Sequence, residues 1–462
     1  MSFPSDAAIA QSAKLEPITK IGEALALSPE QLEPHGRYKA KVDLAVLASR
    51  RVERPRGKLV LVTAMTATRF GDGKTVTSIG LAQGLGKTGR NHCLALREPS
   101  LGPTFGIKGG AAGGGYSQVL PMEDINMHFT GDLHAVTSAN NLLAAVVDNR
   151  AYFEYRSRRK QKREPKAEEM NPEHIAWRRV LDICDRQLRN CRLGLGKLSD
   201  GFPHDGGFDI TAASEVMAVL ALARDRADLR ARLERMVVGW TFGGQPVRAG
   251  ELDCIGALEV LLEDALAPNL VQTIEHTPAL VHCGPFANIA HGCNSLVATE
   301  LALHSADWAV TEAGFAADLG AEKFLDIKCR QLGHFPAAVV LVVTCRALKL
   351  HGGVALEAIK GEDAAAVERG FANVRVHLDN LRNKYGVPVV VSINRFAFDS
   401  DAELATVKRL VEGEGAEWAL FEGFARGGEG AVELADKIAA AAAEGNRPLR
   451  PIYELELSLE DK

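Results

Sequence analysis

Short apolar runs rich in β-branched residues punctuate the chain. The clearest is Lys58-Leu59-Val60-Leu61-Val62-Thr63-Ala64, which is continuous rather than alternating, as in a parallel strand covered on both faces. A glycine-bearing turn follows, and residues 75–85 carry apolar side chains at helical spacing. His92-Cys93-Leu94-Ala95-Leu96 is the next short strand, so strand, helix and strand make a βαβ unit. The same strand pattern returns at 279–282, 308–311, 338–343 and 387–393, with helical stretches at 364–385 and 401–412. The first 50 residues read as helical with polar breaks. Strands alternating with helices predict an α/β fold with a doubly wound, mostly parallel sheet. No fixed-period repeat is visible.

With 462 residues the chain exceeds one compact core and predicts two or three packed units. The expected division is a nucleotide-binding core from 1–150 and 276–360, a mostly helical insertion at 151–275, and a C-terminal α/β domain at 361–462. Hydrophobic residues make up 46% and charged residues 24%, the balance of a globular protein. A formal net charge of −5 gives no push toward nucleic acid or an anionic membrane. There is no apolar run long enough to span a bilayer and no secretory signal pattern. The eight cysteines contain no C-x-x-C pair; they predict reduced thiols, the cytoplasm and no structural zinc. The run 156–166, R-S-R-R-K-Q-K-R-E-P-K, reads as a solvated mobile loop, against the alternative of a patch for an anionic partner.

Thr66-Ala67-Thr68-Arg69-Phe70-Gly71-Asp72-Gly73-Lys74-Thr75 matches the end of G-x-x-x-x-G-K-S/T, with Thr68 where the first glycine is expected. Gly71 and Gly73 let backbone N–H groups turn toward phosphate oxygens, and the next helix adds its positive end. Lys74 suits the β- and γ-phosphates and the Thr75 hydroxyl suits Mg²⁺. Its place between a buried strand and a helix favours a triphosphate site over a structural turn, and makes the sheet P-loop NTPase-like. Past the second strand lie Arg97 and Glu98, at the carboxyl end where α/β sheets bind ligands. The glycine-rich run from Gly106 through Gly109, Gly110, Gly113, Gly114 and Gly115 to Tyr116 predicts close approach of backbone to a ligand or another chain, or else a surface loop. Residues 121–134 group carboxylates with His128 and His134; metal or acid–base roles and core polar roles both stay open.

At this point the residues resemble a family. The run from Arg97 to Asp132, the strings at 207–217 and 284–295, the string 311–324 and Arg346-Ala347-Leu348-Lys349-Leu350-His351-Gly352-Gly353 are similar, nearly end to end, to formate–tetrahydrofolate ligase. The resemblance implies two steps: formate attacks the γ-phosphate of ATP to give formyl phosphate, and N10 of tetrahydrofolate takes the formyl group. It implies a catalytic set of Lys74, Arg97 and Glu98, with Arg97 pairing formate and then formyl phosphate. It implies nucleotide contacts from Thr68, Gly71, Asp72, Gly73, Lys74, Thr75 and Asn394, with Thr75 on Mg²⁺. Substrate contacts would come from Arg97, Tyr116, His128, Phe396 and Phe424. It further implies a monovalent cation and a homo-oligomer, tetramer or dimer.

The chain departs from the family pattern in four places. In the loop, Ala67 and Arg69 stand for prolines, Phe70 for alanine and Asp72 for glutamate, which relaxes the preset φ angles and adds bulk. In the folate clamp, Phe396-Ala397 stands for a phenylalanine–proline pair, and Phe424 for a tryptophan with more stacking area. The basic run replaces a short neutral segment, and Asn140 and Arg150 stand where histidine is common. The sequence given stops at Lys462, before a family segment with a K-T-Q-Y-S string; a small separate chain supplying it is one expectation. Two readings stand beside the ligase: a nucleotide-binding paralogue with a regulatory or assembly role, and a ligase with another acid or acceptor.

Overall fold

The structure, a computed structural model, describes residues 3–69, 71–106, 112–443, 445, 448 and 450–462. Twelve strands form the main sheet, labelled β1 to β12 in chain order. They are Leu32–Pro34, Ala40–Val42, Lys58–Ala64, His92–Leu96, Gly113–Gly114, Ser117–Leu120, Asn269–Thr273, Pro278–Val281, Trp308–Glu312, Ala338–Val343, Val389–Asn394 and Glu417–Phe421. Their order is β1-β2-β7-β8-β4-β9-β3-β10-β11-β12, with β6 joined to β7 and β5 to β6. From β8 to β12 every neighbouring pair is parallel. The pairs on the β1 side are antiparallel. The expected α/β class with a large, mostly parallel sheet is therefore present.

The continuous apolar runs are explained by two cores, one on each face. Along β3, Leu59 and Leu61 face one core and Val60 and Val62 the other, the two-residue alternation of a strand. Helix α1 (Lys74–Lys87) packs on the second face through Ile79, Leu81 and Leu85, beside Leu434 and Ile438. Leu296 to Leu303 and Phe371 with Val374 cover the first face. A third core lies under the 30-residue helix α2 (Asp132–Gln161). It also holds short strands such as Val237–Thr241 and helices such as Glu215–Leu222.

Three expectations change. The first 50 residues are not wholly helical: β1 and β2 pair and edge the sheet against β7. They were hidden because three-residue strands carry almost no periodicity. The basic run is not a loop over its first half, because α2 continues to Gln161. Arg and Lys are good helix formers, and Arg158 and Arg163 both pair with Glu169, which is buried. The helical stretch at 364–385 is helix over Ala364–Asp379 and then a wider turn, Asn380–Lys384.

Candidate active site

Parallel register brings the carboxyl ends of the central strands to one edge. Val62 lies opposite Glu312, Ala64 opposite Val342, Val343 opposite Ile393, and Asn394 opposite Phe421. The segments that leave these strands, at 65–69 with 71–73, 97–98, 313–315, 344–346, 395–399 and 422–424, therefore emerge together, where α/β sheets bind ligands.

The loop after β3 is shaped by two left-handed glycines, Gly71 at φ 73° and Gly73 at φ 78°. Gly73 is also the N-cap of α1, so the first N–H groups of the helix have no partner within it and face the loop. A Cβ on Gly73 would lie 2.9 Å from Asn394 Nδ2. That amide donates to Thr77 Oγ1 at 2.8 Å, and Ser392 Oγ donates to Asn394 Oδ1 at 2.8 Å. Asn394 thus fastens the end of β11 to the first turn of α1. The Thr75 hydroxyl donates to Glu312 at 2.8 Å, so Glu312, which the sequence reading passed over, joins the site from β9. Asp72 is buried and takes the Thr68 hydroxyl at 3.3 Å. Burial raises its pKa, with Lys74 and Arg346 pulling the other way. Arg69 is exposed, whereas Phe70 lies outside the described residues, as do Ile107, Lys108, Gly109, Gly110 and Ala111 of the glycine run.

Arg97 leaves β4 half-buried and donates through Nη1 to the Pro285 carbonyl at 3.2 Å. Gly314 lets it approach, since a Cβ there would stand 3.1 Å from Nη1. Its buried Nε–H has no partner among the described residues, leaving a cationic donor aimed for an anion. Glu98 is buried beside it with Oε2 unpartnered among the described residues. Burial holds its carboxyl well above the usual range, and Asp132 adds to that. Below Glu98, the Lys41 ammonium reaches Asp132 at 2.7 Å and Asn269 at 3.1 Å.

The aromatic residues gather in two places. Tyr116 and Phe424 are neighbours: the Tyr116 N–H donates to the Phe424 carbonyl at 2.9 Å. Phe3 stacks on the Phe424 ring at 5.3 Å and 27°, with its edge toward Tyr116 at 6.2 Å. Phe396, two residues past β11, stacks on Phe398 at 5.9 Å, and the Arg346 guanidinium lies over its ring at 4.4 Å. His128 and His134 are exposed, and the His128 ring makes no hydrogen bond among the described residues. Cys345, Asp399 and Glu403 bring ligand atoms within 4.8 Å of one another, a grouping able to hold a metal. Glu403, however, already accepts from the Lys349 ammonium at 2.8 Å and from the N–H groups of Asp363 and Ser400. It is an ion-paired anchor for the turn that carries Phe396.

The site so built combines a glycine-shaped loop, an oxygen pair at its helix start, a half-buried arginine and partly exposed aromatic rings at one sheet edge. The formate–tetrahydrofolate ligase family model matches residues 4–462. The formate–tetrahydrofolate ligase of Granulibacter bethesdensis is 52% identical over 461 residues, covering 99% of this chain and 78% of that protein. That of Symbiobacterium thermophilum is 53% identical over 458 residues, covering 99% and 80%. That of Rhizobium etli is 52% identical over 461 residues, covering 100% and 80%. With a family match from end to end and half of its residues identical to such relatives, the chain belongs to the formate–tetrahydrofolate ligase family.

Proposed function

We propose that this protein is an ATP-dependent ligase joining formate to tetrahydrofolate through formyl phosphate, giving 10-formyltetrahydrofolate, ADP and phosphate. The observation that carries the reading is the meeting of Arg97, with its unpartnered Nε–H, and the glycine-shaped loop before α1 at one sheet edge. Backbone N–H groups of Gly71 to Thr75 cradle the triphosphate, and Lys74 reaches the β- and γ-phosphates, as in a P-loop NTPase-like fold. The Arg97 fork holds the formate carboxylate in line with the γ-phosphorus, and then the formyl carbonyl and phosphoryl oxygens of formyl phosphate. Formate oxygen bonds to phosphorus as the bond to the ADP oxygen breaks; N10 then attacks the formyl carbon, and phosphate leaves with the proton that N10 gives up. Glu98, kept protonated by burial, acts as a neutral donor beside Arg97 and not as a base.

The Thr75 hydroxyl and Glu312 carboxylate are hard oxygen donors of the kind Mg²⁺ takes. Bound there, Mg²⁺ supplies charge neutralisation along the triphosphate. A monovalent cation follows from the resemblance alone. Phe396 and Phe424 take the pterin, with Tyr116 beside Phe424; the exposed His128 is the weakest member of the substrate set. The expected division has 1–150 and 276–360 as the catalytic core, 151–275 as an insertion and 361–462 carrying the acceptor wall; the separate core under α2 supports a distinct insertion, but one that begins with α2 at Asp132 and not at 151. Homo-oligomers follow from the resemblance. The exposed Ile452, Leu455, Leu457 and Leu459 support a covering polypeptide, another copy or a small separate chain. No described helix is long and apolar enough to cross a membrane, and free, mostly buried thiols support a reducing compartment such as the cytoplasm. The test is formation of 10-formyltetrahydrofolate from formate, ATP, Mg²⁺ and tetrahydrofolate. Product from the wild type and its loss in Lys74→Ala are expected; ATP binding without product at saturating folate sinks the reading.

A further inference from the structure

We propose that Arg346 is a positioning residue coupling the triphosphate loop to the aromatic acceptor wall, so that nucleotide and folate bind cooperatively; this rests on the ligase reading above. Arg346 stands in the first turn of the helix Cys345–His351, directly after β10. Thr344 caps that helix by accepting the Ala347 N–H at 3.0 Å. From there one guanidinium does two things. Its Nη2 donates to the Gly71 carbonyl at 2.7 Å, and its plane covers the Phe396 ring at 4.4 Å. The carboxylates of Asp72, in the loop, and Asp399, in the Phe396 turn, both act on it electrostatically.

The two contacts are mechanically linked because a peptide unit is planar and trans. Turning the Asp72 N–H toward a phosphate turns the Gly71 carbonyl the opposite way, and Arg346 is the donor that meets it there. The loop side is free to respond: Gly71 is exposed, and a Cβ on it would meet nothing within 4 Å. The other side is stiff. The Phe396 N–H donates to Asp399 at 2.7 Å, and the Asp399 N–H returns to the Phe396 carbonyl at 3.0 Å. One turn along the same helix as Arg346, the fully buried Lys349–Glu403 pair ties that helix to the helix start just after the turn. Loop closure on a triphosphate therefore fixes the guanidinium and the ring face it covers, leaving the opposite ring face ordered for a flat ligand. Folate stacking on that ring orders the guanidinium and the loop in return, since such linkage is reciprocal.

The test measures binding to the full chain, separately from turnover. The Kd of a non-hydrolysable ATP analogue with Mg²⁺ is taken with and without saturating tetrahydrofolate, and then in the converse order. The wild type is expected to bind each ligand about fivefold more tightly in the presence of the other. Arg346→Met keeps an apolar stem but no donor, and its coupling should fall below about twofold. Arg346→Lys keeps the charge but loses the fork and the stacking plane, and should be intermediate. Phe396→Leu should lose the coupling as well, with no further loss in the double variant. If Arg346→Met fails to fold, the lysine variant and Phe396→Leu decide. Wild-type binding without coupling overturns the inference. So does a folded Arg346→Met variant that weakens each ligand alone while keeping the full coupling. Failure of the ligase reading shows differently, as absence of formyl-folate in wild-type turnover whatever the coupling.

Discussion

Replacing Gly73 with alanine tests the loop geometry quantitatively. The residue sits at φ 78°, where an L side chain costs about 1–2 kcal/mol. Its new Cβ would stand 2.9 Å from Asn394 Nδ2, so the amide must move and its bond to Thr77 Oγ1 weakens, a further ~0.5–1.5 kcal/mol. The sum, about 1.5–3.5 kcal/mol, pushes the loop away from its binding-competent shape and raises the apparent Kd by the same factor. That is an increase of about tenfold to 300-fold for Mg-ATP, read by titration calorimetry. Combining Gly73→Ala with Asn394→Ala removes the clash but not the φ strain, so the double variant should recover part of what the single one lost relative to Asn394→Ala alone. A folded Gly73→Ala protein that binds Mg-ATP within about twofold of wild type would refute the reasoning, because neither the strain nor the contact would then belong to the binding-competent loop.

Other consequences follow from groups around the site. The Glu98 carboxyl has a raised folded pKa, so its contribution is fully present below the unfolded carboxylate pKa and is lost as pH rises through the folded value. Glu98→Gln should therefore flatten the fall in melting temperature on going from about pH 5 to alkaline pH; an unchanged slope contradicts the assigned protonation. Lys349→Met strands a fully buried Glu403 and should destabilise the fold by about 3–5 kcal/mol in urea unfolding. Loss below about 1 kcal/mol would mean that the pair is solvated. Phe3 covers one face of Phe424, so Phe3→Ala should lower the KM for tetrahydrofolate with the KM for ATP unchanged. A raised folate KM would show that Phe3 helps hold the acceptor.

The central strands were legible because burial on both faces leaves an unmistakable apolar run: Lys58–Ala64, His92–Leu96 and Ala338–Val343 stand where the pattern put them. Strands with polar members were not. In β7, Asn269 and Gln272 are fully buried but satisfied by partners such as the Thr130 hydroxyl and the Glu16 carbonyl, so tertiary hydrogen bonding replaces the apolar signal. The exposed Glu417 and half-buried Trp418 similarly obscured β12. Within the site, the loop and Arg97 announce themselves by motif and by position after a strand. Glu312 and Arg346 do not, because their roles arise only when parallel register sets β9 and β10 on either side of β3. The basic run is largely exposed, as its charges suggested, and misled only as to its backbone, because the helix continues to Gln161 and Arg158 and Arg163 pair with Glu169.

The most direct test of the ligase account follows the γ-phosphate of ATP and the formyl carbon together, using [18O]formate with tetrahydrofolate. The account predicts formate-dependent 10-formyltetrahydrofolate with one formate oxygen transferred to the released phosphate, both lost in Lys74→Ala and Arg97→Ala. Phosphate carrying no formate oxygen, or product formed equally well without Lys74 and Arg97, would contradict it.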